Sequence, residues 1–318
     1  MRAFVFPGQG TQKQGMGAQL ALASAAAREV FEEVDEALGQ KLFQIMKDGP
    51  EDVLMLTENA QSAIMANAMA VLRVLEREGG IAMADKVEFV AGHSLGEYTA
   101  LCAAGAFSLA DTARLLKLRG QAMQAAVPEG AGAMCVLLGA DIASAAKLAE
   151  AAAQSPVAGE PPQVCAIAND NDPGQVVLSG HLAAIERAAA MVKDFGIKRG
   201  MMLKVSAPFH CALMQPAADA MAQALAQAPP GALRVALIAN VTAALVTDPA
   251  QVQRLLVEQV TGRVRWRESM IALGEAGTER FIELGAKVLG PMITRSVAEA
   301  HVTSVTEMAD IEALLKEI

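Results

Sequence analysis

Apolar positions along this chain fall into short strand-like runs and longer helical stripes that alternate from the first residues onward. That alternation predicts an α/β protein with a largely parallel sheet. Residues 2–6 read as a buried strand that ends at Pro7-Gly8. Over residues 24–38, Val30, Phe31, Val34 and Leu38 share one helical face, Glu29, Glu32, Glu33 and Glu36 lie off it, and Gly39 stands where a helix-ending glycine belongs. Val87–Ala91 reads as another strand and Leu95–Ala104 as the helix after it, so Gly92-His93-Ser94-Leu95-Gly96 occupies a strand-to-helix turn.

Between 131 and 205 the rhythm changes. The pattern gives a strand at Met134–Leu138, a helix at Asp141–Ala153, a strand at Val164–Ala168 and a turn through Asn169–Gly174. A strand at Gln175–Leu178, a helix at Leu182–Phe195 and a strand at Met201–Val205 follow. This β-α-β-β-α-β order predicts a small ferredoxin-like domain, residues 131–205, inserted into a core made of 1–130 and 206–318. Ser155–Pro162, with three prolines and a glycine, is expected to be a loop inside it. The core then resumes with a strand at Val235–Ala239, helices at Ala250–Val260 and Trp266–Leu273, a strand at Arg280–Leu284, a helix at Val288–Ala298, and a terminal strand and helix.

Composition narrows the function classes. With 53% hydrophobic and 19% charged residues over 318 positions, the chain can bury a large core and is not disordered. No stretch approaches the ~20 apolar residues of a membrane span, and the start is too short for a secretory leader. A net charge of −9 with one Trp and one Tyr argues against a nucleic-acid surface. Four scattered cysteines, with no Cys-x-x-Cys pair, suggest neither a metal site nor a disulfide framework and fit a reducing cytoplasm.

The turn at 92–96 fits G-x-S-x-G, whose small flanking residues permit a tight elbow that exposes a serine, here Ser94. The pattern points to an α/β-hydrolase-like core with a parallel sheet. The Leu95 N–H, at a helix start, is placed to stabilise an oxyanion. Of four histidines, His93 adjoins the serine and should face away, His181 lies in the small domain and His301 begins a late strand, leaving His210 as the base. The glycine turn at 7–12 lacks both the dinucleotide and the P-loop signature, and it lets the Gln9 backbone approach an acyl group as a second oxyanion donor. Arg119 shares the apolar sector of its helix with Leu109, Leu116 and Met123. A guanidinium there needs either a resident acid or a carboxylate that arrives with substrate. The plain alternatives are a packing turn at 92–96, a surface-loop histidine and a structural loop at 7–12.

Together, PGQGTQ at 7–12, GHSLGEYTAL at 92–101, LRGQAMQ at 118–124, NDNDPGQVVLSG at 169–180 and SAPFHCALM at 206–214 resemble the malonyl-CoA:acyl carrier protein transacylase family over nearly the whole chain. The resemblance implies a ping-pong transfer without a cofactor. Ser94 would take malonyl from malonyl-CoA, and the phosphopantetheine thiol of acyl carrier protein would then receive it in fatty acid biosynthesis. It implies His210 as base and acid, Arg119 as the malonyl carboxylate holder, and the Gln9 and Leu95 N–H groups as the oxyanion hole. It also implies the Gln259 carbonyl as the group that orients the histidine, although Arg263 replaces a proline common in the family four residues later. Phe209 matches the malonyl-selective form of the histidine motif. Because the carrier protein is usually acidic, docking is expected on local basic residues: Lys193, Lys198, Arg199 and Lys204, with Lys287. A serine hydrolase and a non-catalytic module are the rival classes.

Overall fold

The computed structural model describes residues 1–155, 157 and 159–318; Pro156 and Ala158, in the expected 155–162 loop, lie outside the described residues. Among the described residues there are ten strands: β1 (Arg2–Phe6), β2 (Phe89–Gly92), β3 (Gly132–Leu138), β4 (Cys165–Asp172), β5 (Gln175–His181), β6 (Arg199–Met202), β7 (Ala236–Ile238), β8 (Leu245–Val246), β9 (Arg280–Leu284) and β10 (His301–Val305). They form a six-stranded sheet in the order β10-β9-β1-β2-β7-β8 and a four-stranded sheet in the order β4-β5-β3-β6. The larger sheet is parallel from β10 to β7, and only β8 runs antiparallel, as a hairpin with β7. Every pairing in the smaller sheet is antiparallel. The α/β class is therefore as expected, with the short antiparallel β8 making the larger sheet mixed.

Burial follows from strand alternation. Phe4 and Phe6 join the large core built with the helices Ala25–Leu38, Thr57–Arg77 and Leu109–Ala125, whereas Ala3 and Val5 face Trp266, Met270 and Phe281 on the other side. A central parallel strand covered on both faces reads as a continuous apolar run, which is what residues 3–6 are. The smaller sheet has its own core, with Leu137, Leu148, Leu178 and Ile185. In sequence that sheet lies between β2 and β7, which are direct neighbours in the larger sheet.

Three expectations need correction. The polar run 169–172, expected as a turn, is the end of β4, with irregular register between Ile167 and Asn169 and between Asp170 and Asp172. Its polar groups are bonded rather than solvated: Arg267 grips Asp170 with contacts of 2.8–3.1 Å, and Arg295 holds Asp172 at 2.6 Å. The strand expected at 201–205 instead pairs over Arg199–Met202, with a last backbone bond from the Leu203 N–H to the Met134 carbonyl of β3 at 2.9 Å. Lys204 and Val205 then turn away from β3, and with Leu203 they line a cleft. The helix expected over 182–195 tightens into a 3₁₀ turn at Val192–Phe195, closed by Gly196 in the left-handed region.

Candidate active site

A cleft of about 460 Å³ opens where β1 and β2 end, and its lining includes Gln9, Ser94, Leu95, Arg119, Phe209 and His210. Ser94 sits between β2 and the helix Gly96–Ala103 with φ 54°, a left-handed conformation that costs a non-glycine residue roughly 1–3 kcal/mol. The flanking glycines explain how so sharp an elbow fits. A Cβ on Gly92 would lie 1.9 Å from the Gly96 carbonyl carbon, and one on Gly96 would lie 2.4 Å from the Phe6 carbonyl oxygen. Both obstacles are backbone and cannot swing aside.

Ser94 Oγ lies 2.7 Å from His210 Nε2, and His210 Nδ1 lies 2.8 Å from the Gln259 carbonyl oxygen. A carbonyl can only accept, so Nδ1 carries the proton and Nε2 is left to accept from the serine hydroxyl. His210 is 4% exposed; burial first, and then the nearby Arg119 charge, lower its pKa to about 3. The resting imidazole is therefore neutral, the form a base must have.

Arg119 is 1% exposed, and its guanidinium has neutral partners. It donates from Nη1 to Gln61 Oε1 at 2.7 Å, and from Nη2 to Gln259 Oε1 at 2.8 Å and Ser94 Oγ at 3.1 Å. Its Nε–H is buried without a partner among the described residues, and the Tyr98 ring lies 5.6 Å from its central carbon. The nearest acid is Glu97, fully buried on the elbow helix. Burial raises its carboxyl to about 7, against the opposing pull of Gln259, the Asn240 N–H and Arg119. Gln259 Nε2 donates to Glu97 Oε2 at 2.6 Å and to the Ser94 carbonyl at 2.9 Å, so one glutamine touches serine, histidine, arginine and glutamate.

The backbone N–H groups of Gln9 and Leu95 donate to no protein acceptor among the described residues. The Gln9 loop is held by its side-chain amide on Thr57 Oγ1 at 3.3 Å and by Gly10 N–H on Gln12 Oε1 at 2.8 Å. His93 turns to the smaller sheet, with Nε2 2.9 Å from Asn171 Oδ1 and its ring edge-on to Trp266. His181 accepts from the Val164 N–H at 2.8 Å, and His301 begins the outermost strand, so neither belongs to this cluster.

Of the basic residues considered for docking, Lys204 lines the cleft, and Lys198 and Arg199 lie at the start of the edge strand β6. Lys287 follows β9 and is paired with Asp310 at 3.2 Å. Arg263, the departure near Gln259, pairs with Glu268. Sequence reasoning missed Gln61, Glu97 and Asn240. Glu97 stands inside the GHSLGEYTAL motif, and Asn240 is the first polar residue after an apolar strand, so both carried a signal; Gln61, on a helix buried all round, carried none.

The acyl transferase domain model matches residues 3–312. The malonyl CoA-acyl carrier protein transacylase of Salmonella typhimurium (strain LT2) is 41% identical over 99% of this chain and 99% of its own. That of Escherichia coli K12 is 41% identical over 99% of this chain and 98% of its own. Among solved structures, an acyl-carrier-protein-S-malonyltransferase from Bartonella henselae superposes with TM-score 0.94 at 50% identity, covering 99% of this chain and 98% of the other. A malonyl-transacylase in complex with its type II PKS acyl-carrier protein gives TM-score 0.93 at 37% identity, covering 100% and 99%. With both sequence and structural likeness extending over essentially its full length, the chain belongs to the acyl transferase family, among the malonyl CoA-acyl carrier protein transacylases.

Proposed function

We propose that this chain moves a malonyl group from coenzyme A to the phosphopantetheine thiol of an acyl carrier protein in fatty acid biosynthesis, through a malonyl ester of Ser94. The observation that carries the reading is a buried arginine whose direct hydrogen-bond partners are neutral, 3.1 Å from a serine hydroxyl that is also 2.7 Å from a neutral imidazole. Ser94 Oγ attacks the thioester carbonyl while its proton passes to His210 Nε2. The Gln9 and Leu95 N–H groups receive the developing oxyanion. The C–S bond breaks, and the coenzyme A sulfur takes the proton from the imidazolium. In the second half-reaction the carrier thiol gives its proton to His210 Nε2 and its sulfur attacks the ester carbonyl; the Ser94 Oγ–C bond breaks and Oγ takes the proton back from the imidazolium, restoring both residues. Throughout, Arg119 holds the free carboxylate of the malonyl group, and the Gln259 carbonyl keeps His210 in the reactive tautomer.

Carrier docking is assigned to the β6 side, at Lys198 and Arg199. The strand order and the antiparallel pairing of the smaller sheet support reading 131–205 as a ferredoxin-like domain inserted into an α/β-hydrolase-like core of 1–130 and 206–318. A cytoplasmic setting suits the four free cysteines. The deciding experiment uses labelled malonyl-CoA with and without a pantetheine thiol. The proposal expects label on the thiol; free malonate formed at the same rate in both would make this a hydrolase.

A further inference from the structure

We propose that Asn240 is a positioning residue that holds the Ser94 backbone in its left-handed conformation and so aims the hydroxyl at His210. The inference rests on the reading of Ser94 as nucleophile and goes beyond it. Parallel pairing of β2 with β7 puts Ile238 opposite Ala91, so two residues further on Asn240 stands opposite His93, where the chain has already bent into the elbow. Backbone pairing has no partner there, and the Asn240 carboxamide takes over. Its Oδ1 accepts from the Ser94 N–H at 2.8 Å and its Nδ2 donates to the Gly92 carbonyl at 2.7 Å. A side-chain amide thus imitates a peptide group and fastens the turn on both sides of His93.

Asn240 is itself immobilised, 1% exposed. Its N–H faces Glu97 Oε1 at 3.4 Å, and its carbonyl accepts from the Arg265 N–H at 2.9 Å. The adjacent Val264 exchanges backbone hydrogen bonds with Ala168 and Asp170 at 2.8 and 2.9 Å. The elbow is therefore tied through Asn240 to the strand that carries Asn171, the partner of His93. A turn at φ 54° relaxes when such a restraint is removed, and a hydroxyl displaced by about 1 Å loses on the order of a hundredfold in rate.

The test measures single-turnover acylation by malonyl-CoA in Asn240→Ala and Asn240→Asp. Asn240→Ala should acylate about 10–100-fold more slowly, with malonyl-CoA affinity kept within about threefold. Asn240→Asp adds a signature that a merely structural role would not give. A protonated carboxyl has one donor and one acceptor and restores both bonds; an ionised one cannot donate to the Gly92 carbonyl, and burial raises its pKa. The ratio of the Asp variant's acylation rate to wild type should therefore rise at least about fivefold from pH 8 to pH 6. Glu97, His93, His210 and Arg119 are the ionisable groups around this point, and the Asn240→Ala rate measured over the same pH range gives their own contribution, against which the Asp ratio is read. A flat ratio, or an Asn240→Ala rate within about twofold of wild type, would overturn the inference. If Asn240→Ala does not fold, the Asp ratio decides. Wild type that forms no malonyl-Ser94 would sink the functional reading and this inference together; acylated wild type with unchanged variants would sink this inference alone.

Discussion

Replacing Arg119 with alanine should change which acyl group the enzyme accepts more than it slows the enzyme in general. The resting guanidinium is fully buried and bonded to Gln61, Gln259 and Ser94, all neutral. On the proposed reading, a substrate carboxylate would be the first anion bonded directly to it. Charge-assisted hydrogen bonds contribute about 1.5–3 kcal/mol each, so a two-pronged grip is worth ~3–6 kcal/mol. At 1.4 kcal/mol per decade, kcat/KM for malonyl-CoA should fall roughly 10²–10⁴-fold. Acetyl-CoA has no carboxylate to lose. Its kcat/KM should stay within about tenfold of wild type, the change reflecting the freed Gln61 and Gln259 side-chain carbonyls and the lost contact to Ser94 Oγ. Arg119→Lys keeps the charge but not the fork and should fall between the two. The assay is stopped-flow acylation with both thioesters. An equal fall for malonyl and acetyl would refute the reasoning, because Arg119 would then act only through its bonds to Ser94 and Gln259.

Four further outcomes follow from the geometry. Burial lowers the His210 pKa from 6.5 to about 3, so its labelled imidazole should show no NMR titration between pH 8 and 5; a midpoint near 6.5 would contradict this. The sign for stability is fixed by the same shift: the unfolded chain binds a proton that the folded His210 refuses, so His210 makes stability fall as pH drops from 6.5 to about 3, and His210→Gln should fall less steeply in denaturant titrations. Gly96→Ala must push its Cβ against the Phe6 and Pro7 carbonyls, 2.4 and 2.8 Å away, and should cost about 1–3 kcal/mol or more by denaturant titration; an unchanged midpoint would contradict the packing argument. Lys198→Glu with Arg199→Glu should raise the KM for carrier protein and leave coenzyme A exchange intact, whereas equal loss in both half-reactions would refute docking on that side.

What the sequence made legible were the features set by local rules. The elbow at 92–96 was readable because a strand, two glycines and a helix start are all short-range signals, and the Arg119 helix because its cap and apolar face share one period; Ser108 does accept from the Asp111 N–H. The longest helix, Thr57–Arg77, has almost every side buried and so shows no stripe. The run 169–172 looked like a turn because its compensation comes from Arg267 and Arg295, about a hundred residues away. Asn240 escaped notice for a related reason: its partners, Gly92 and Ser94, are distant in sequence and become neighbours only through the β2–β7 pairing. Long-range satisfaction of buried polar groups is invisible to local pattern, and the site depends on it.

Brief exposure of the protein to malonyl-CoA, followed by proteolysis and mass spectrometry, tests the acyl-serine step most directly. A malonyl ester, adding about 86 Da, is expected on the peptide bearing Ser94, absent in Ser94→Ala and discharged by a pantetheine thiol. An adduct on another residue, or one that survives Ser94→Ala, would contradict it.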